Sequence, residues 1–223
     1  MSIFSDRFPE FNFYSLSTIG NNLSNFDYYF FMADLFAKYI PDEKSIPSVL
    51  LKNFNHGSIN QRILHASKKI RIGLSWKTSK NYSSSRKSVE LNQIIDSFTE
   101  HPDKFEFVNL QYGDIQTDLT LLSARNREVF FDTNIDLFND IDGLSSLVNE
   151  CDFIITIGNV TAHIAGFFGR KCFLLLPRNF ETIWYWHDDG KSTWYPNTEI
   201  HYFDNNHSLK SCIESIVTSI NHS

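Results

Sequence analysis

The chain is poor in the residues from which special chemistry is usually built. Only three of its 223 residues are cysteine (Cys151, Cys172 and Cys212), an odd number at wide spacing, and its eight histidines are scattered. A disulfide framework is excluded, and no metal-ligand spacing emerges, so no metal or cofactor is expected. Cys151 and Cys172 flank or enter apolar runs and read as small buried hydrophobes, which suits a reducing, cytoplasmic location. No run approaches the ~20 apolar residues of a membrane helix, and the first residues lack the basic start and apolar core of a signal peptide. A net charge of −6 with no basic block argues against nucleic acid as a partner. The glycine fingerprint of dinucleotide folds is missing, as are a Walker loop and a Gly-x-Ser-x-Gly elbow.

What is present is an ordinary globular composition, 42% hydrophobic and 21% charged, with 21 phenylalanines. The length allows one good core, or one domain with an appendage. The pattern centres on Cys151 to Gly169. Phe153 to Ile157 is a short apolar, β-branched run, as in a strand buried on both faces of a parallel sheet. Gly158 permits a tight turn, Asn159 is a good helix N-cap, and Val160, His163, Ile164 and Phe167 or Phe168 recur at helical spacing. Gly169 stops the helix, and Lys171 to Leu176 forms the next strand, ended by Pro177. This βαβ unit should present unpaired main-chain N–H groups at a helix start beyond the sheet's carboxyl edge, an anion site.

Residues 1–68 read differently from 69–223. The first segment is aromatic and mainly helical, with a helix expected over Phe26 to Tyr39. Its aromatic face needs a cover: the main domain, a twin copy or a separate partner. From Lys69 onward strands alternate with helices. Strands are expected at Ile70–Trp76, Phe105–Leu110, Glu128–Phe131 and Ile200–Phe203. Helices are expected at Val89–Phe98 (capped by Ser88), near Asn139–Asn149, and at Ser208–Ile220. The implied fold is α/β, a single Rossmann-like, doubly wound parallel sheet.

Four loops then gather at the carboxyl edge. The first, Trp76-Lys77-Thr78-Ser79-Lys80 running on to Arg86-Lys87-Ser88, is locally basic; it either holds a diphosphate or is simply solvated. The second contains Gln111, which either reads a base edge or hydroxyl or belongs to a plain Tyr-Gly-Asp turn. The third spans Gly158, Asn159, Val160, Thr161, Ala162 and His163. Its backbone and Thr161 suit phosphate, while His163 touches a ligand, acts as a base, or satisfies a buried hydrogen bond. The fourth holds Trp184, Trp186 and Trp194-Tyr195-Pro196, whose rings either stack on a base or sugar or plug the loop onto the body.

Taken in order, these motifs resemble the C-terminal, donor-binding half of GT-B glycosyltransferases. The branch is the heptosyltransferase-like and tetratricopeptide-linked one, distantly related to O-GlcNAc transferases. The residues that carry the resemblance are Ile72-Gly73-Leu74-Ser75-Trp76, Arg86-Lys87-Ser88, Phe107 to Asp114, Asp152 to Thr156, Asn159 to Gly166 with Gly169, and Trp194-Tyr195-Pro196. The resemblance implies a nucleotide diphosphate-sugar donor, with Lys77 or Lys80 approaching the diphosphate, Asn159 to Ala162 cradling it and Gln111 near the nucleoside. Ser75, Trp76, Arg86, Gly158, His163, Trp184 and Trp186 complete the expected binding set. Many relatives have Asp-Thr where this chain has Gly158-Asn159. Only about 68 residues precede the donor half, where a GT-B enzyme has a whole acceptor domain, so the catalytic residues are unassigned and the acceptor is unknown. The expectations are a transferase completed by a partner domain or second copy, a non-catalytic nucleotide-binding module, or a truncated frame.

Overall fold

The computed structural model describes residues 5, 8–14, 19, 26–28, 30, 32–39, 68–78, 87–98, 103–178, 186, 190–192, 194–204 and 207–223. The chain divides into two compact units, Met1–Ile59 and Asn60–Ser223.

In the first unit the described helix is α1 (Met32–Tyr39), with Asp34 in its first turn and Lys38 in its last, as the helix dipole favours. It is shorter than the expected Phe26 to Tyr39. Phe26, Asp27, Tyr28 and Phe30 are not helical, in line with the poor helix propensity of aromatic residues.

The second unit is a five-stranded parallel sheet in the order β2-β1-β3-β4-β5. Its strands are β1 (Ile70–Ser75), β2 (Phe105–Asn109), β3 (Phe153–Ile157), β4 (Lys171–Pro177) and β5 (Thr198–Phe203). The helices are α2 (Leu91–Asp96), α3 (Gln116–Ser123), α4 (Ile141–Asn149), α5 (Val160–Phe167) and α6 (Leu209–Asn221). Alternate strand residues face opposite layers. Ile72, Leu74, Ile155, Ile157, Phe173 and Leu175 pack with Leu91, Ile94, Ile95 of α2 and Ile213, Ile216 and Ile220 of α6. On the other side Leu174, Leu176, Ile200 and Tyr202 pack with Ala162 of α5 and Trp186. Gly73 occupies the middle of β1 because a Cβ there would press into Ile154 at 2.8 Å and Cys151 at 3.0 Å. All three cysteines are buried free thiols, and burial pushes Cys172 up to about 12.

Several expected features move. Glu128 to Phe131 contributes one parallel bridge, Val108 with Phe130, rather than a strand. Helix α2 begins at Leu91, and Ser88 does not cap it; the cap position is Glu90, with no side-chain bond. Instead Ser88 Oγ accepts from Thr78 N at 3.3 Å while Val89 N donates to Trp76 O at 2.9 Å, which ties α2's approach to the end of β1. Helix α3 was not expected. Asn159 caps α5 as expected, accepting from Thr161 N, and α6 is capped by Ser208, which accepts from Ser211 N. Gly169 ends α5 at φ +64°, a conformation that suits glycine.

The strand order sets the site. From β1 the chain moves outward to β2, then crosses back to β3 on the other side of β1. The carboxyl ends of β1 and β3 are therefore the topological switch point, where open α/β sheets form a ligand crevice.

Candidate functional site at the sheet switch point

Ser75 ends β1 and pairs in register with Thr156 of β3, while Leu74 pairs with Asn109 of β2. Beyond these positions the ladder stops, and the main-chain N–H groups of Trp76 and Lys77 need acceptors. Gln111 supplies one for both: its Oε1 accepts from Trp76 N at 2.8 Å and Lys77 N at 2.7 Å. Its Nε2 donates to Tyr112 O at 2.8 Å. Asn109 holds Gln111 in turn through its own side-chain amide, accepting from Gln111 N at 3.1 Å. Ser75 Oγ donates to Gln111 Oε1 at 3.2 Å and accepts from Asn159 Nδ2 at 2.8 Å. Asn159 Oδ1 accepts from Thr156 Oγ1 at 3.1 Å and Thr161 N at 3.0 Å. One chain of hydrogen bonds thus joins the loops after β1, β2 and β3.

This network changes the expected roles. Ser75, Gln111 and Asn159 are buried, and the described bonds turn them inward. Gln111 has both ends of its amide bound by the protein, so it does not present that amide to a nucleoside. The first turn of α5 is not wholly open either. Thr161 N is capped by Asn159, and Ala162 N donates to Asn159 O at 3.2 Å. Thr161 and Ala162 are fully buried, and Trp76 is fully buried in the core. The rim is formed by other residues. Val160 is 38% exposed at the helix start, and Lys77 stands partly exposed beside the β1 end. The Lys77 ammonium is held by the buried carboxylate of Asp118 on α3. No strong sequence signal marked Asp118, because α3 lacks an apolar stripe. A second cation, Arg178, follows β4; it lies 3.6 Å from Asp204 and 4.8 Å from the Tyr202 ring centroid.

The wall beside α5 is aromatic. His163 stacks on Trp186 at 5.1 Å and its Nδ1 lies 3.1 Å from Tyr195 Oη. Desolvation by burial lowers the pKa of His163 below its ordinary value, so neutral imidazole is favoured. Trp186 is buried, its carbonyl accepts from Tyr202 Oη at 3.1 Å, and a Cβ on Gly158 would lie 3.8 Å from its Nε1. The Gly158–Asn159 bend therefore faces Trp186, whose buried side chain packs against the body rather than standing open. Lys80, Arg86 and Trp184 lie outside the described residues.

No family model matches the chain. Protein FlbA of Caulobacter vibrioides is 25% identical over 162 residues, covering 69% of this chain and 26% of FlbA. Among solved structures, glycosyltransferase family 9 from Veillonella parvula aligns with a TM-score of 0.48 and 11% identity over 70% of this chain and 47% of that one. E. coli heptosyltransferase WaaC with ADP-2-deoxy-2-fluoro heptose aligns with a TM-score of 0.49 and 8% identity over 74% of this chain and 47% of that one. E. coli ADP-heptose LPS heptosyltransferase II gives 0.48 and 14% identity over 80% of this chain and 55% of that one. The chain spans about a quarter of FlbA and about half of each solved structure.

Two open clefts lie away from the switch point. One, of about 610 Å³, runs between α2 and α6 and is lined by Asp96, Phe98, Phe105, Lys210 and Glu214. The other, of about 520 Å³, lies beside β2 near Lys69, Asp103, Phe107 and Phe130. Both reach the amino end of the sheet. Among the described residues no cluster of His, Cys, Asp or Glu could hold a metal ion, and no helix is long and apolar enough to cross a membrane.

Proposed function

We propose that residues 69–223 form a GT-B donor-type domain that binds a nucleotide diphosphate-sugar at the switch point. The domain transfers the glycosyl unit together with an acceptor domain from a partner or a second copy. The observation that carries this reading is the convergence of Lys77 and the first turn of α5 on the edge where β1 and β3 part. A lysine and a helix start on that edge can neutralise a leaving diphosphate. The hydrogen-bonded frame of Ser75, Gln111 and Asn159 keeps the loops around them in place. The likeness to tetratricopeptide-linked and O-GlcNAc transferases belongs to the same proposal, resting on the sequence motifs.

The second reading is a non-catalytic nucleotide-binding or interaction module. It is favoured by the inward bonding of Gln111 and Asn159 and by the Lys77–Asp118 pair. Calorimetric titration with UDP-, GDP- and ADP-sugars, alongside a hydrolysis assay, separates the two. Binding with turnover supports the transferase, and binding without turnover supports the module. No binding to any of the three sinks both.

A further inference from the structure

We infer that the base of the bound nucleotide stacks on Phe138, with Tyr112 beside it, so that this aromatic pair recognises the nucleoside end of the ligand. The inference rests on the nucleotide-binding reading and adds residues that the sequence motifs did not assign.

Phe138 is 59% exposed, yet it sits on a tightly bonded turn. Asp136 Oδ1 accepts from Phe138 N at 3.0 Å and Asn139 N at 3.2 Å, and its Oδ2 accepts from Asn139 Nδ2 at 2.7 Å. Asp140 N donates to Asp136 O at 2.8 Å, and Asp140 then caps α4 through Gly143 N at 2.8 Å. The main chain that carries the ring is thus held before any ligand arrives, so binding need not order the turn.

The ring's place in the fold matches the site. The segment runs from the Phe130 bridge, level with the last residues of β2, to α4, whose far end feeds the start of β3. It therefore lies at the carboxyl edge. Tyr112, just past β2, has its ring 5.8 Å from that of Phe138 at 60°. The Tyr112 carbonyl accepts from Gln111 Nε2, and Gln111 Oε1 accepts from Lys77 N. A single glutamine thus links the aromatic pair to the strand end that carries Lys77.

Charge decides which end of a nucleotide belongs here. Asp114 and Asp136 are exposed on the two loops, and hydrogen bonds from Asn139 and Phe138 hold the Asp136 carboxyl below its usual range. Carboxylates repel a diphosphate but accept from ribose hydroxyls and exocyclic amines, so the phosphates belong at Lys77 and the base at Phe138. Two rings match the area of one base, far below the ~800 Å² per side of a standard protein interface.

The test uses the full chain and calorimetry with UDP, GDP and ADP, with inorganic pyrophosphate as the base-free probe. Phe138→Ala should weaken binding of the preferred nucleotide about 5- to 150-fold. Phe138→Trp should retain it, and pyrophosphate binding should not change. Circular dichroism of each variant checks that the fold is intact. If the wild type binds a nucleotide and Phe138→Ala binds it equally well, this inference fails and the nucleotide reading stands. Equal losses for nucleotide and pyrophosphate also overturn it. If the wild type binds no nucleotide, the nucleotide reading itself fails, and this inference fails with it.

Discussion

Gly166→Ala gives a test in which two physical effects have opposite signs. Gly166 lies near the end of α5, where alanine is favoured over glycine by up to about 1 kcal/mol on helix propensity alone. The Tyr195 ring, however, lies flat against this position. A Cβ on Gly166 would sit 2.7 Å from Tyr195 Cδ2 and closer still to Cγ and Cδ1. These are inner ring atoms, so rotating the tip of the side chain cannot relieve the contact. The main chain of Tyr195 is pinned as well, since its N donates to Ser192 Oγ at 3.2 Å and its O accepts from Thr198 N at 2.8 Å. Forcing a methyl into a packed site costs about 1–3 kcal/mol. Displacing the ring also removes the His163–Tyr195 hydrogen bond, about 1 kcal/mol. The net expectation is a destabilisation of about 1–3 kcal/mol. Urea unfolding followed by circular dichroism measures it, and tryptophan emission should shift because Trp186 rests on the same His163. In a Tyr195→Ala background the clash is absent, so Gly166→Ala should be neutral or stabilising there; the cycle isolates the contact. If Gly166→Ala alone raises stability by about 1 kcal/mol, the tight seat of Tyr195 on α5 is refuted.

Three further outcomes are expected. Lys77→Ala should weaken nucleotide diphosphate binding by about 1–3 kcal/mol if its ammonium meets the phosphates, and an unchanged calorimetric affinity removes Lys77 from the site. Asn159→Ala should cost about 1–2 kcal/mol of stability through the lost N-cap, while Asn159→Asp should cost less because its carboxylate still accepts from Thr161 N; equal urea midpoints for the two variants would contradict the cap argument. Stability should fall as pH drops through 6.5, because the unfolded chain then protonates His163 while the buried native imidazole resists. Above that range the group has no effect. His201 is shifted the same way, mainly by burial, so His163→Gln should remove only part of the slope between pH 7.5 and about 5.5 in urea midpoints; an unchanged slope would show that His163 is not a source.

The strands were legible because their signal is local. Phe153–Ile157 and Lys171–Pro177 are short apolar runs bounded by glycine, arginine or proline, and parallel strands buried on both faces need little else. The cap at Asn159 was legible for the same reason. Helix α3 was not, because its buried residues are Asp118 and Leu122. A face built on a paired carboxylate leaves no apolar stripe in the sequence. Helix α5 was found, but only part of its buried face. Hydrophobic spacing picked out Val160, His163, Ile164 and Phe167 or Phe168; Ile164 and Phe168 are buried, while the rest of the buried set is Thr161, Ala162, Ala165 and Gly166. Small residues let the Tyr195 ring lie against the helix, and hydrophobic periodicity gives them little weight.

The site was harder to read, and the reason lies at the switch point itself. Where β1 and β3 part, the main-chain N–H groups of Trp76 and Lys77 have no strand to receive them. A polar side chain at that edge can serve a ligand or serve this backbone, and residue type does not distinguish the two. Gln111 serves the backbone, accepting both N–H groups, and Asn159 serves the helix start and Ser75. Ser75, Gln111 and Asn159 therefore form the frame of this edge, while two other residues of the same motifs, Lys77 and Val160, keep part of their surface exposed at its rim. Lys77 is tethered to Asp118 with part of its side chain exposed, Val160 lies on the first turn, and Phe138 stands on a turn fixed by Asp136. In such an edge the accounting of main-chain N–H groups decides which polar residues are left to meet a ligand, and that accounting requires the strand order.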